Sequence, residues 1–305
     1  LQIVVAGATG FIGRSLCGAL ADGGHRVVAL ARDPAKASGV LPAGTQIIAW
    51  DLKKPGEWHR AVGESEAVVN LAGESIAAQR WTPAFKQRLV SSRIETTRAI
   101  VEAIRAAARP GICLVNASAV GYYGDRGDAV VTEQTPPANT FLGQLSVDWE
   151  GEALQAERAG ARVVLLRIGI VLGEGGGALE KMVTPFRLFI GGPLGSGRQW
   201  FPWIHRDDVV GMIVWALENP QVRGPLNVTA PNPVTMREFA RTLGRVLRRP
   251  SFAPAPGFAL KLLLGEFAGS LLTGQRAIPE AAQRLGYQWR YPDLEGALRA
   301  IFPAR

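Results

Sequence analysis

Apolar residues in this chain fall into short unbroken runs separated by stretches in which they recur every three or four positions. QIVVA at 2–6 leads into Gly7-Ala8-Thr9-Gly10-Phe11-Ile12-Gly13, then an alanine- and leucine-rich stretch to Ala21, then a second run, RVVALA, at 26–31. Unbroken runs of this length predict buried strands, and helical spacing predicts the connecting helix, so the opening is a βαβ unit with a glycine-rich first turn. The pattern repeats. Gln46 to Trp50, Ala67 to Ala72, Ile112 to Ala117 and Arg162 to Leu166 read as strands, with helices over Ser92 to Ala108 and about Phe141 to Arg158. Strands that are apolar on both faces belong in a parallel sheet covered by helices on each side, which is an α/β doubly wound, Rossmann-type fold.

From about Gly173 the texture changes to GEGGG, IGGPLGSGRQ and proline-bounded segments such as APNPVT and RRPSFAPAPG. Leu226 to Thr229 reads as one more strand, and Thr235 to Leu247 and Phe258 to Leu272 as helices. The expected organisation is a nucleotide-binding domain over 1–230, with 174–208 contributing to the substrate side, and a smaller, mainly helical subdomain over 231–305. No repeat of solenoid period is visible.

Composition narrows the classes. A chain of 305 residues with 47% hydrophobic and 20% charged residues describes a globular protein with a full core. Cys17 and Cys113 lie inside apolar runs, so buried thiols in a reducing compartment are expected rather than a disulfide framework. The formal net charge of +8 raises the question of nucleic acid. The bases are scattered, however, with the densest group at Arg245, Arg248 and Arg249, and no aromatic platform interleaves with them. A positive surface suits an anionic cofactor; no nucleic-acid partner is expected. LQIVVAGATG has the length of a strand and not the layout of a signal peptide. The greasiest stretch, Gly257 to Gly274, carries Lys261 and Glu266 and is too short to span a bilayer. A cytoplasmic protein acting on a small molecule, with no membrane partner, is expected, and homodimer formation is left open. Three histidines and two isolated cysteines offer no metal-ligand spacing.

Gly7, Gly10 and Gly13 follow a strand and open a helix, the context in which such a motif carries meaning. Without Cβ atoms the backbone turns tightly and approaches a diphosphate, and free N–H groups at the helix start hold its charge. The end of the second strand selects between nicotinamide cofactors. It reads Ala31-Arg32-Asp33, and the planar fork of Arg32 favours a 2′-phosphate, hence NADP(H), while Asp33 keeps NAD(H) open. Asp51, followed by Leu52, stands where a carboxylate meets an adenine amino group or caps a helix.

The glycine turn, Asn70-Leu71-Ala72-Gly73 and Asn116-Ala117-Ser118-Ala119-Val120-Gly121-Tyr122-Tyr123-Gly124 together resemble the extended short-chain dehydrogenase/reductase superfamily, and more narrowly its "epimerase family protein" branch. Arg80-Trp81-Thr82, Ser92-Arg93, Gln199 to His205 with Asp207-Asp208, and Ala230 to Pro233 extend the likeness, and the segment through Gly274-Gln275-Arg276 and Gly286-Tyr287 resembles the domain of unknown function that ends those proteins. The resemblance implies an NADP(H)-dependent oxidoreductase or nucleotide-sugar epimerase-like protein. It implies that Gly7, Thr9, Gly10, Phe11 and Ile12 take the diphosphate, Arg32 the 2′-phosphate, Asp51 and Leu52 the adenine, and Leu71, Ala72 and Gly73 the ribose region. Arg93 and Arg167 would approach the nicotinamide, and Ala117 would belong to the cofactor site.

Superfamily chemistry uses a serine, a tyrosine and a lysine: the lysine lowers the tyrosine pKa and the serine orients the carbonyl. Ser118, five residues before Tyr123-Gly124, fits the serine position. Aligning Glu150 with the superfamily's helix glutamate puts Leu142 and Ser146 where tyrosine and lysine belong, so the usual relay is missing. Tyr123 and His205 are the candidate substitutes, against packing for the tyrosine and a structural hydrogen bond for the imidazole. Lys86 is a further cation near that region, either functional or on a solvated helix face. Trp200, Phe201 and Trp203 either line an apolar pocket or pack a core. The competing reading is a non-catalytic module that holds NADP(H) as a structural or redox-sensing ligand.

Overall fold

The structure is a computed structural model that describes residues 1–303; Ala304 and Arg305, the last positions of the expected 231–305 segment, lie outside the described residues. Seven strands form one parallel sheet: β1 (Gln2–Ala6), β2 (Arg26–Ala31), β3 (Gln46–Ala49), β4 (Ala67–Asn70), β5 (Cys113–Ala119), β6 (Arg162–Ile168) and β7 (Gly224–Val228). Their spatial order is β7-β6-β5-β4-β1-β2-β3, every neighbouring pair parallel. The doubly wound fold expected from the apolar runs is therefore present.

Alternation along β1 divides the core. Ile3 and Val5 face helices α1 (Phe11–Asp22) and α7 (Arg206–Glu218), whereas Val4 and Ala6 face α3 (Glu57–Glu64) and α4 (Pro83–Ala107), and all four are fully buried. Both faces being covered explains why the strands are apolar at every position. The short α2 (Pro34–Ser38) follows β2, and α5 (Phe141–Leu154) lies between β5 and β6.

A third core joins α6 (Gly177–Arg187), α8 (Met236–Leu247) and α12 (Leu294–Ile301) around Phe186, Phe201, Trp203 and Phe239. It draws on 172–203 as well as on 230–301. Phe201 and Trp203 are buried there, so these two pack the core, whereas Trp200 is half-buried and its Nε1 donates to Asp128 Oδ1 (3.0 Å). The long helix expected over 258–272 breaks at Gly265 (φ +63°) into α9 (Gly257–Leu264) and α10 (Phe267–Leu272); α11 (Glu280–Arg284) lies between α10 and α12.

Candidate functional site

Winding reverses between β1 and β4: the chain runs outward from β1 through β2 to β3, then returns to β4 on the other side. In an open parallel sheet the crevice beyond the carboxyl ends of two such strands is the ligand site. Here the crevice is bounded by the Gly7–Gly13 turn and by the Leu71–Gly73 loop. The two are pressed together: Leu71 N donates to the Ala6 carbonyl (2.9 Å), and a Cβ on Gly7 (φ +79°) would come within 2.7 Å of the Leu71 carbonyl carbon. Asn70 sets the loop, its Oδ1 accepting from Ala72 N (3.2 Å) while its Nδ2 donates to Asn116 Oδ1 (2.7 Å) and Thr97 Oγ1 (3.0 Å).

Each glycine of the turn has its own reason. Gly13 packs α1 onto the turn, since a Cβ there would run into the Gly7 carbonyl oxygen and lie 2.8 Å from Ala8 Cα. Gly10 is exposed at the helix start and has an ordinary φ of −73°. No side chain caps this helix, as also at α3, α6 and α9 to α12, whereas Asp33, Thr82, Thr140 and Thr235 cap α2, α4, α5 and α8. The first-turn N–H groups of α1 are thus left for an anion. Thr9 is exposed beside them and Ile12 half-buried. Phe11 turns the other way, into a socket of Gly173, Gly176 and Gly177, where added Cβ atoms would stand 2.9–3.0 Å from its ring. Arg14 and Arg206 tie that glycine loop down through the carbonyls of Gly175 (3.3 Å) and Glu174 (2.9 Å).

At the tip of β2, Arg32 is exposed and, among the described residues, makes no hydrogen bond or ion pair. Asp33 is already engaged: its carboxylate accepts from Lys36 N (3.2 Å) and sits 3.4 Å from Lys36 Nζ. Beyond β3, Asp51 Oδ1 accepts from Lys53 N (2.9 Å), a turn cap rather than a helix cap, and Leu52 is 39% exposed.

Arg93 reaches the Leu71–Gly73 loop from α4, but its guanidinium is used there, donating to the carbonyls of Leu89 (3.1 Å) and Glu74 (2.9 Å). Burial lowers its pKa to about 10, with Glu74 pulling it upward. Ala117 is buried on β5.

Arg167, Ser118 and Tyr123 come together, in the interior. Arg167 on β6 is 3% exposed and binds Glu150 of α5 bidentately, both contacts 2.8 Å. Its remaining N–H groups reach Tyr123 Oη (3.0 Å) and the Glu133 carbonyl (3.0 Å), and the Tyr122 ring covers it with a centroid at 3.6 Å. Burial works against the charge of Arg167, but Glu150 outweighs it and the pKa rises. Ser118 Oγ donates to Glu150 Oε1 (2.6 Å). Tyr123 Oη donates to Asn227 Oδ1 (2.6 Å), and burial raises the phenol to about 12 against the pull of Arg167.

Position 142 holds leucine, which packs on Gly121, and Ser146 Oγ donates to the Leu142 carbonyl (2.9 Å) within its own helix. Lys86 pairs with Glu266 (2.5 Å), tying α4 to the start of α10. His205 stands apart from this cluster as the cap of α7. Its Nδ1 accepts from Asp207 N (3.1 Å), the ring lies 4.0 Å from Tyr291, and burial lowers its pKa to about 4 although Asp207 pulls it up. No group of three or more metal-ligating side chains occurs among the described residues.

Sequence reasoning passed over Glu133, Asn227, Thr97 and Trp149. Glu133 accepts from Asn227 N (3.0 Å), and Trp149 Nε1 donates to Thr97 Oγ1 (2.9 Å). Of these only Asn227, polar between Leu226 and Val228, is marked in the sequence; Glu133, Thr97 and Trp149 stand among polar neighbours.

Comparison with known proteins agrees with this architecture. The model of the "NAD dependent epimerase/dehydratase family" matches residues 3–228, and that of a domain of unknown function, DUF1731, matches residues 255–301. "Epimerase family protein SDR39U1 homolog, chloroplastic" from Arabidopsis thaliana is 46% identical over 304 residues, covering 99% of this chain and 86% of the relative. "Epimerase family protein YfhF" from Bacillus subtilis is 39% identical, covering 100% of this chain and 99% of the relative. The crystal structure of human epimerase family protein SDR39U1 (isoform 2) with NADPH superposes with a TM-score of 0.87 at 37% identity, covering 99% of each chain. With three quarters of its length matched by one family model and relatives this similar end to end, the chain belongs to the NAD dependent epimerase/dehydratase family.

Proposed function

We propose that this protein binds NADP(H) in the crevice between β1 and β4 and acts as an oxidoreductase or nucleotide-sugar epimerase-like enzyme on a small carbonyl or sugar-like compound, with a site that lacks the tyrosine–lysine relay. The observation that carries this reading is the pairing of an uncapped first turn of α1 with an unpartnered Arg32 at the next strand tip, while Asp33 is engaged as a helix cap. That arrangement fits a diphosphate plus a 2′-phosphate better than a bare ribose. Phe11 holds the turn through the glycine socket, Leu71 to Gly73 flank the ribose region, and Asp51 with its free carboxylate oxygen serves the adenine. When bound, the cofactor supplies or accepts hydride.

Ser118, Tyr123, Arg167 and Glu150 act in this reading as positioning residues that fix the ends of β5 and β6. The domain division at about residue 230, a cytoplasmic setting and the absence of a nucleic-acid partner belong to the same proposal; Cys17 and Cys113, both buried and free, favour a reducing compartment. NADPH is also the ligand named for the structure of the human relative.

Calorimetry with NADPH and NADH tests the binding step. NADPH is expected to bind more tightly, and Arg32→Ala to weaken NADPH by about tenfold or more while leaving NADH nearly unchanged, as loss of a charge-assisted contact implies. Equal affinity for the two in the wild type overturns the assignment of Arg32.

The second reading, a module that binds NADP(H) without turnover, is favoured by one observation: the hydroxyls of Ser118, Tyr123 and Ser146 are all engaged inside the protein. Transfer of deuterium from labelled NADPH to a member of a carbonyl panel selects the enzyme; tight binding with no transfer across the panel selects the module.

A further inference from the structure

Helix α6 ends in an αL turn: Ile190 N donates to the Pro185 carbonyl (3.0 Å) and Phe189 N to the Phe186 carbonyl (3.0 Å). In this closure the residue with positive φ is ordinarily glycine, because a side chain there is strained. Here it is Phe189, with φ +62°, and its ring is 57% exposed between Leu188 and Ile190, both more than 60% exposed. Neither backbone relief nor core packing accounts for a phenylalanine at this place.

The turn is not isolated. Ala253 N donates to the Gly191 carbonyl and Ala255 N to the Pro193 carbonyl, both 3.0 Å, so the strip 188–195 runs beside 252–255. That second strip exposes Phe252 (77%) and continues into α9, none of whose residues is buried and which presents Phe258, Leu262 and Leu263. Seven of the twelve exposed large apolar side chains among the described residues thus fall on this one face, which makes it a concentrated patch and not the ordinary scatter.

Charge identifies what would cover it. Residues 181–206 contain four basic residues and 239–265 five, with neither aspartate nor glutamate in either segment. Arg187, Arg248 and Lys261 are exposed and, among the described residues, unpaired; Arg249 stacks on the Phe189 ring at 4.5 Å. Acids flank these segments without entering them: Glu180 stands at the far end of α6 and Glu238 in the first turn of α8, while Glu295 is held by Arg245 and Glu266 by Lys86. A second copy docking here would set cations against cations. A bulky apolar tip ringed by uncompensated bases matches the interface of a bilayer whose headgroups are anionic.

We propose that this face, formed by the α6 turn, residues 252–255 and α9, rests on an anionic lipid surface. No helix among the described residues is long and apolar enough to cross a membrane; the attachment is peripheral, with Phe189, Phe252 and Phe258 entering the headgroup region and the arginines pairing with lipid phosphates. This departs from the sequence-based expectation of no membrane partner, because the patch is assembled from segments some sixty residues apart.

Co-sedimentation of the full chain with vesicles tests it, using neutral phosphatidylcholine alone and phosphatidylcholine with about 30% phosphatidylglycerol. Binding is expected to the anionic vesicles and not to the neutral ones, and to weaken as salt is raised. Phe189→Gly separates the surface role from folding, because relief of the αL strain leaves the protein as stable or more so. Combined with Phe258→Ser it is expected to lower vesicle binding by about tenfold. The proposal is overturned if anionic vesicles fail to retain the wild type, if the double variant binds as well as the wild type, or if sedimentation velocity finds instead a dimer that the double variant abolishes.

Discussion

Glu150 and Arg167 form the most deeply buried ion pair among the described residues. Both lie in the interior, with side chains 8% and 4% exposed, where a lone charge is costly and a bidentate partner offsets the cost. Glu150→Gln keeps the shape but strands the guanidinium. Stability is expected to fall by about 3–5 kcal/mol, read as a lower denaturation midpoint in urea. Ser118→Ala removes one hydrogen bond to the same carboxylate and is expected to cost about 1–3 kcal/mol. If Ser118→Ala instead left stability untouched and abolished deuterium transfer, Ser118 would have to face substrate. Sequence could not make this distinction. An arginine near the end of an apolar strand reads equally well as a ligand contact or as the partner of a distant acid, and the acid lies seventeen positions earlier on a different element. The reading proposed for Arg32 draws on local features alone, its place at a strand tip and the engagement of its neighbour Asp33 as a helix cap.

Elements were legible where their signals are local. β1, α1 and β2 fall within a residue or so of where the apolar runs put them, since a strand, a glycine turn and an alanine-rich helix each announce themselves over a few residues. α4 starts earlier than its apolar spacing predicts. It begins at Pro83 and not near Ser92, because Thr82 caps it and proline suits the first helical position, signals weaker than the polar sequence FKQRLVSSR suggested. The break between α9 and α10 depends on a single glycine, Gly265, and α7 carries no readable helical period because VVGMIVWAL at 209–217 is apolar at nearly every position. The first turn of α1 yields an element-scale prediction. Gly13→Ala places a methyl against the backbone of Gly7 and Ala8, which has no room to yield, so helix and turn must separate; loss of both stability and NADPH binding is expected. Gly10→Ala meets only the Gly7 carbonyl, at 3.1 Å, and needs no positive φ. It is expected to leave the thermal midpoint within a degree or two, a change of well under about 1 kcal/mol, while weakening NADPH, because the methyl occupies the face offered to the diphosphate. Thermal melts paired with calorimetry distinguish the two.

At the scale of the whole molecule, the sheet and the third core are joined through the start of α7, and that joint is expected to weaken in acid. His205 caps the helix with a neutral imidazole, and Asp208 accepts from Arg290 N (2.7 Å) and Tyr291 N (3.0 Å), pinning the chain ahead of α12. Burial lowers the His205 pKa from 6.5 to about 4, with Asp207 opposing and Arg206 and Arg290 reinforcing the shift. The unfolded chain therefore takes up the proton first as pH falls. The stabilisation from a neutral His205 is complete above 6.5 and is lost progressively toward 4. Asp208 and Glu133, raised by burial, act with the opposite sign: they bind protons more readily folded than unfolded, and so favour the folded state as the pH drops through the carboxylate range. Stability is accordingly expected to decline on leaving neutrality, with the histidine as the cause. His205→Asn retains an acceptor at the cap position and removes the titration. Urea midpoints at pH 7 and pH 5 are expected to differ clearly in the wild type and to differ less in His205→Asn; parallel profiles for the two proteins would show that the joint does not carry the acid sensitivity.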